Sequence, residues 1–235
     1  MCSALDQMHL KEVIVVDDCS SDASVAVAQR FSAKHSEIKI YSLTENSGPA
    51  AARNFGASMA SGEFLCFLDS DDELLDGYFS EVVPLLDANP KFHAFKVGME
   101  FFDSVRGYVL PAHDPRYSAA VFSSACNVLI RRDSFNKMGG FPVDMAFRAA
   151  NGGEDHAFCE ALAKHLPPLG KIEKPYYRCW SYEGSHLHRF LSNTRLAENT
   201  EGFQFVSLTL DQRPDGDLSR ALRNYSNKVR KNLEA

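Results

Sequence analysis

Paired cysteines, long apolar runs and a surplus of positive charge are all missing from this 235-residue chain. Its six cysteines, Cys2, Cys19, Cys66, Cys126, Cys159 and Cys179, form no C-x-x-C pair and sit among apolar or loop residues. A zinc site or disulfide frame is therefore not expected; reduced thiols in a cytoplasmic protein are. No stretch approaches the ~20 apolar residues of a membrane span. The opening residues, MCSALDQMHLKE, have neither a basic start nor a long apolar run, so no signal peptide is expected. Lysine and arginine number 25 against 31 acids, a formal charge of −6. Such a chain has no global attraction for nucleic acid, which is not expected as a partner.

What is present is an ordinary apolar share, 45%, in a chain long enough for a sizeable core. Val13 to Val16 form a β-branched run that stops at Asp17 and Asp18, as a short buried strand does before a polar turn. A helix is expected near Ala23 to His35, with Asp22 as its cap, then a strand over Ile38 to Leu43. Pro49 suits the first turn of a small-residue helix reaching Ala60, and Phe64 to Leu68 is a third strand. The order β-α-β-α-β predicts a layered α/β sheet. Further on, helices are expected at Tyr78 to Leu86, Asp133 to Met138 and Gly153 to His165. Strands are expected at Phe92 to Phe102, Tyr108 to Leu110, Ser123 to Arg131 (or extended chain there) and Lys171 to Arg178, with a loop at Pro111 to Tyr117. The last residues, Ser219 to Ala235, carry five basic residues and one acid. Leu222, Tyr225, Val229 and Leu233 fall on one helical face. This basic amphipathic helix either docks on its own domain or contacts a membrane surface or partner.

Two acidic clusters, Asp17–Asp18 and Asp69, Asp71 and Asp72, stand at strand ends, where open α/β sheets bind ligands. At a strand end, residues i and i+2 share a direction. Asp69 and Asp71 are therefore expected to face one site and hold Mn2+ or Mg2+ through oxygen. Such ions are held by one or two carboxylates plus substrate phosphates, so the D-x-D pair points to a nucleotide diphosphate. A response-regulator receiver fits partly, but Lys96 is followed by Val97 rather than proline. A phosphatase using Asp69 as nucleophile also fits only in part.

A wider resemblance covers about Ser3 to His188. The ordered set EVIVVDDCSSD, ENSGPAAARNFGASMASGEFLCFLDSDDEL, NVLIRRDSFNKMGGF, GGEDHAFCEAL and PYYRCW resembles the family 2 glycosyltransferases. That resemblance implies the GT-A fold, a mixed, mainly parallel sheet flanked by helices. It implies an inverting enzyme that moves a sugar from a nucleotide-diphospho-sugar, UDP-linked by expectation, to a saccharide or glycolipid hydroxyl. Residue by residue, Asp18 matches the acid that contacts the base, with Asp17 beside it as a second contact or a turn acid. Arg53 matches a basic position that contacts the nucleotide or pairs with an acidic cluster. Asp71 matches the metal ligand, Asp69 contacts ribose, sugar or metal, and Asp72 is a further metal candidate or a helix cap. Asp155, with Glu154, matches the catalytic base. His186, His188 and Arg189 match a late loop reaching diphosphate and metal. Trp180 and Tyr182 stack on an acceptor sugar or pack in the core.

The resemblance departs at the start. Family members begin with a strand and helix before the stretch like EVIVVDD, and this chain opens inside that helix. An N-terminally truncated fold is therefore expected, with a nucleotide-sugar half (1–118), an acceptor half (119–190) and a helical extension (191–235). Direct pairing of Val13 to Val16 with Leu65 to Leu68 would mark a sheet closed up over the missing strand. The expected location is cytoplasmic, with peripheral contact at the inner membrane face left open. The competing reading is a degenerate module that binds nucleotide or a partner without catalysis.

Overall fold

The computed structural model describes residues 1–103, 107–149, 153–197, 202–205 and 215–235. In chain order they form α1 (Cys2–Leu5), β1 (Val13–Asp17), α2 (Ser24–Ser32), β2 (Ile38–Ser42), α3 (Pro49–Met59), β3 (Phe64–Cys66) and β4 (Glu73–Leu74). Then come α4 (Tyr78–Ala88), β5 (Ala94–Asp103), β6 (Gly107–Tyr108), α5 (Pro115–Ser123), β7 (Val128–Arg131), α6 (Arg132–Met138), α7 (Met145–Ala149) and α8 (Glu154–His165). β8 (Gly170–Ser181), α9 (His186–Ser192), β9 (Thr194–Leu196), β10 (Phe203–Phe205) and α10 (Asp215–Glu234) complete the described chain.

The strands fall into separate sheets. β1 and β2 pair in parallel, Val13 opposite Ile38. A larger sheet runs β3-β7-β5-β8-β4, with β6 added beside β5. The mixed sheet with flanking helices is the expected architecture, but its balance is not. Only β5 and β8 pair in parallel within the larger sheet; β3–β7, β7–β5, β5–β6 and β8–β4 are antiparallel. The reason lies in the connections. β7 returns between β3 and β5, and β4 folds back on β8 after a short turn. Neither of these insertions is visible in local hydrophobic pattern.

Among the described residues β1 pairs with β2 alone, so the closed-up register between Val13–Val16 and Leu65–Leu68 is not formed. Side chains tie the small sheet to the start of β3 instead. Glu12 Oε1 accepts from Ser61 N–H at 2.7 Å, its Oε2 pairs with Lys39 at 2.6 Å, and Lys11 donates to the Ser61 carbonyl at 3.1 Å. Burial alone would raise the Glu12 carboxyl, but Lys39 and the Ser61 donors outweigh it and bring it to about 2.

Four local expectations are corrected. The Pro111 to Tyr117 loop gives way at Pro115 to α5, because Asp114 caps it by accepting from Arg116 N–H at 2.9 Å and Pro115 takes the first turn. The strand expected from Ser123 starts only at Val128. Similarly, β3 ends at Cys66, short of Leu68. Asp22 accepts from Ser24 N–H at 2.9 Å, but the residue capping α2 is Ala23.

The core centres on β5 and β8, which draw the two expected halves into one sheet. Their register shifts at Gly98, where an added Cβ would run into the Glu173 carbonyl oxygen. Backbone on one side leaves no side chain to yield. Gly98→Ala is therefore expected to cost about 1–3 kcal/mol, read as a lowered melting temperature. An unchanged melt would show that the bulge relaxes freely. Beside this sheet, Phe67, Phe135, Phe141 and Phe158 pack as an aromatic cluster, the last two stacked at 4.4 Å. It joins the chain after β3 to α6, α8 and the loop before α7, and so fixes the elements that carry the site.

The last helix docks on its own domain. Ala221, Tyr225 and Val229 are buried, Leu222 and Leu233 pack against the core, and Tyr225 Oη donates to the Gly140 carbonyl at 2.6 Å. Its apolar stripe is thus used internally against α6 and α8. No described helix is long and apolar enough to cross a membrane, and all six cysteines are free.

Candidate active site

Arg53 connects the acidic cluster at Asp69 to the later acidic pair at Asp155. It sits on α3, whose first turn opens with Pro49 after Gly48 (φ 85°). Its guanidinium donates to Asp69 Oδ1 and to Asp155 Oδ1, both at 2.7 Å. The ring of Phe141 lies 5.4 Å beneath its charge. The Arg53 side chain is 12% exposed, Asp155 27% and Asp69 44%, so the cation is mostly buried while Asp69 stays open to water. One planar fork thus serves two carboxylates, a task that a lysine ammonium does less well. Asn54, the next residue, donates to Phe141 C=O at 2.9 Å and accepts from Phe141 N–H at 2.7 Å. α3 is therefore stitched to the loop that ends at the aromatic cluster.

Asp155 occupies the first turn of α8, entered through Gly153 in a left-handed conformation (φ 107°). Burial pushes its carboxyl up; Arg53 pulls it down, Asp69 and Glu154 push up and Lys96 pulls down, leaving it at about 6. Lys96 was not among the expected site residues. It is buried on β5 and bonded to the Ser124 carbonyl, to Asn127 Oδ1 at 2.8 Å and to Cys159 at 3.4 Å. Cys159 lies one helical turn beyond Asp155. The signal in the sequence was a lone lysine inside the apolar run AFKVGM.

The D-x-D pair is not arranged as strand alternation predicts. Residues 69 to 72 form a turn closed by Asp72 N–H to the Asp69 carbonyl at 3.1 Å. The side chains consequently diverge: Asp69 meets Arg53, and exposed Asp71 accepts from Tyr182 Oη at 3.0 Å. Asp72 turns inward, accepting from Tyr177 Oη at 2.8 Å and Trp180 N–H at 2.9 Å. Burial, only partly offset by those two donors, raises its carboxyl to about 7. It does not cap a helix, since α4 starts after Gly77. Tyr182 is 52% exposed beside Asp71, whereas the Trp180 ring packs against Phe102.

A cleft of about 300 Å3 is lined by Asp18, Ser47, Gly48, Phe147, Glu154, His186 and Arg189, among others. Asp18 accepts from Ser47 N–H at 2.7 Å and Gly48 N–H at 2.8 Å, at the start of α3. Each carboxylate oxygen keeps a second lone pair for a further donor. Asp17 accepts from Ser20 N–H at 3.2 Å and shapes the turn. Of the late basic residues, His186 and Arg189 reach the cleft. His188 instead accepts from Gly184 N–H at 3.1 Å, within its own loop. Pro142, Val143 and Asp144 complete one wall, a contribution that no sequence signal marked.

The donor set suits a hard divalent cation, because it consists of carboxylate oxygens and Asp71 is exposed. Among the described residues no three His, Cys, Asp or Glu side chains gather to hold an ion by themselves. An ion here would complete its shell with water and phosphate oxygen, the usual habit of Mg2+ beside nucleotides.

A mixed sheet carrying carboxylates at the edge of such a cleft defines a GT-A-type fold, and solved structures agree. Staphylococcus aureus TarS in complex with UDP aligns with a TM-score of 0.64 at 18% identity, over 99% of this chain and 84% of that one. The Pyrobaculum calidifontis mannosyltransferase in complex with GDP-Man and Mn2+ aligns at 0.57 and 21% identity, over 82% and 55%. The chain belongs to glycosyl transferase family 2, whose model matches residues 1–141. Among curated relatives, a putative teichuronic acid biosynthesis glycosyltransferase of Bacillus subtilis is 44% identical over 72 residues. That match spans 30% of this chain and 29% of the relative's own length.

Proposed function

We propose that the protein is an inverting glycosyltransferase using a UDP-linked sugar donor and a saccharide or glycolipid hydroxyl as acceptor. The observation that carries this reading is the Arg53 fork, which joins Asp69 to Asp155, whose neighbour Glu154 lines the cleft together with Asp18 and Arg189. Asp155 is the general base. Arg53 holds its Oδ1, and Oδ2 takes the acceptor's proton as the acceptor oxygen attacks the anomeric carbon. The bond from that carbon to the diphosphate breaks in the same displacement, so the configuration inverts and UDP leaves. Glu154, on the cleft wall, accepts from an acceptor hydroxyl. Asp18 accepts from the base N–H, with Asp17 shaping its turn, and His186 and Arg189 face the diphosphate. Asp71 is the main ligand for Mn2+ or Mg2+, assisted by Asp69, while Asp72 chiefly pins β8. When bound, the ion supplies positive charge to the departing diphosphate.

The family membership and a neighbour solved with UDP support this donor class, and a neighbour solved with Mn2+ supports the metal. The test is thermal and calorimetric. UDP with Mn2+ at ~100 times Kd is expected to add ~2.7 kcal/mol of stability. Chelation with EDTA or Asp71→Ala should remove most of that gain without lowering the basal melt. No uptake of UDP in the presence of Mn2+ would remove the basis of the reading.

A further inference from the structure

We infer that the outward face of α10 is a docking surface for an anionic phospholipid bilayer. The chain as a whole is acidic, at −6, yet residues 219 to 235 carry five basic residues and one acid. The helix spends its apolar side on its own domain, where Ala221, Tyr225 and Val229 are buried. What it turns outward is mainly cationic: Arg223, Lys228, Arg230 and Lys231 are exposed, with Asn224, Asn227 and one acid, Glu234, among them. Lys164 extends the positive field from α8. It and Arg230, after burial, push His165 below its ordinary value, while Glu234 pulls the other way.

The occupant follows from charge and shape. The twenty-residue helix is about 30 Å long. A flat anionic surface meets such a helix along its whole length, at about fivefold in binding per Lys or Arg brought close. Single-stranded nucleic acid would call for exposed aromatic rings among the bases, and the one aromatic in this stretch, Tyr225, is buried. Because the apolar stripe is already packed, the contact is electrostatic and shallow rather than an insertion of the helix into the acyl layer. It rests on charge alone and is independent of the reaction proposed above.

Sedimentation with vesicles tests this directly. The full chain is expected to co-sediment with phosphatidylglycerol vesicles at low salt and not with phosphatidylcholine vesicles. At 1 M salt, where charges are screened beyond ~3 Å, it should release. The triple variant Arg223→Gln, Arg230→Gln, Lys231→Gln should bind about 100-fold less. All three side chains are exposed, so its circular dichroism and melt should match the parent. Equal binding to both vesicle types, unchanged binding of the variant, or no binding to phosphatidylglycerol would each overturn the inference. So would displacement from vesicles by a single-stranded oligonucleotide at lower concentration than lipid.

Discussion

Asp155→Asn is expected to lower turnover by about 10²–10⁴-fold while leaving UDP affinity within a fewfold of the parent. The amide keeps the shape of the carboxyl and still accepts from Arg53, but it cannot take a proton from an incoming hydroxyl. Arg53 also retains Asp69 as a charged partner at 2.7 Å, so the fold should hold. The same assignment sets a pH dependence. Burial raises the Asp155 carboxyl to about 6, so kcat/KM should climb with pH through that value as the base ionises. Below it the carboxyl is protonated and the base is lost. Initial rates across pH 4.5 to 8, with UDP binding measured in parallel, check both parts. Turnover retained in Asp155→Asn would sink its role as base. Donor binding without turnover in the parent protein would instead favour a module that binds nucleotide and does not catalyse.

Arg53→Ala should damage stability and activity together. Removing the guanidinium leaves Asp69 and Asp155 as like charges without the cation between them. Breaking a buried pair from one side costs several kcal/mol, and the open position of Asp69 screens part of that; a loss of about 2–3 kcal/mol is expected. Asp155 also loses its main pull towards the ionised form, so the rising limb of the pH profile should move to higher pH. Arg53→Lys should fall between, since one ammonium cannot serve both carboxylates as the fork does. Denaturant melts and the pH profile of each variant decide this. A melt and profile indistinguishable from the parent's would mean that the fork is incidental.

The candidate residues were largely legible in the sequence, whereas their mutual arrangement was not. Asp18, Arg53, Asp69, Asp71 and Asp155 each stand in a short stretch with its own punctuation, such as a strand stop, a proline turn or a glycine before a helix. Reading Asp69 and Asp71 as alternating strand positions failed because β4 pairs with β8 and bends the segment into a turn. The long stretch between β3 and β7 gave no hint either that β7 would insert next to β3. Lys96 was visible as a charge in an apolar run, but its meaning depended on which helix would cover it. His188 matched the late loop by order alone, yet it turns back on Gly184.

Local chemistry by itself determined that this protein has α/β layers, where its acids interrupt apolar strands, and that its last helix is basic and amphipathic. Periodicity and turn residues act over a few positions, so they survive without knowledge of the fold. Tertiary structure alone decided that one arginine would join acids 86 positions apart, that Asp72 would face inward, and that the final helix would bury its apolar side and display its charge. Those outcomes depend on strand order and on which surfaces meet, and pairing between distant segments leaves no trace in the pattern of either one.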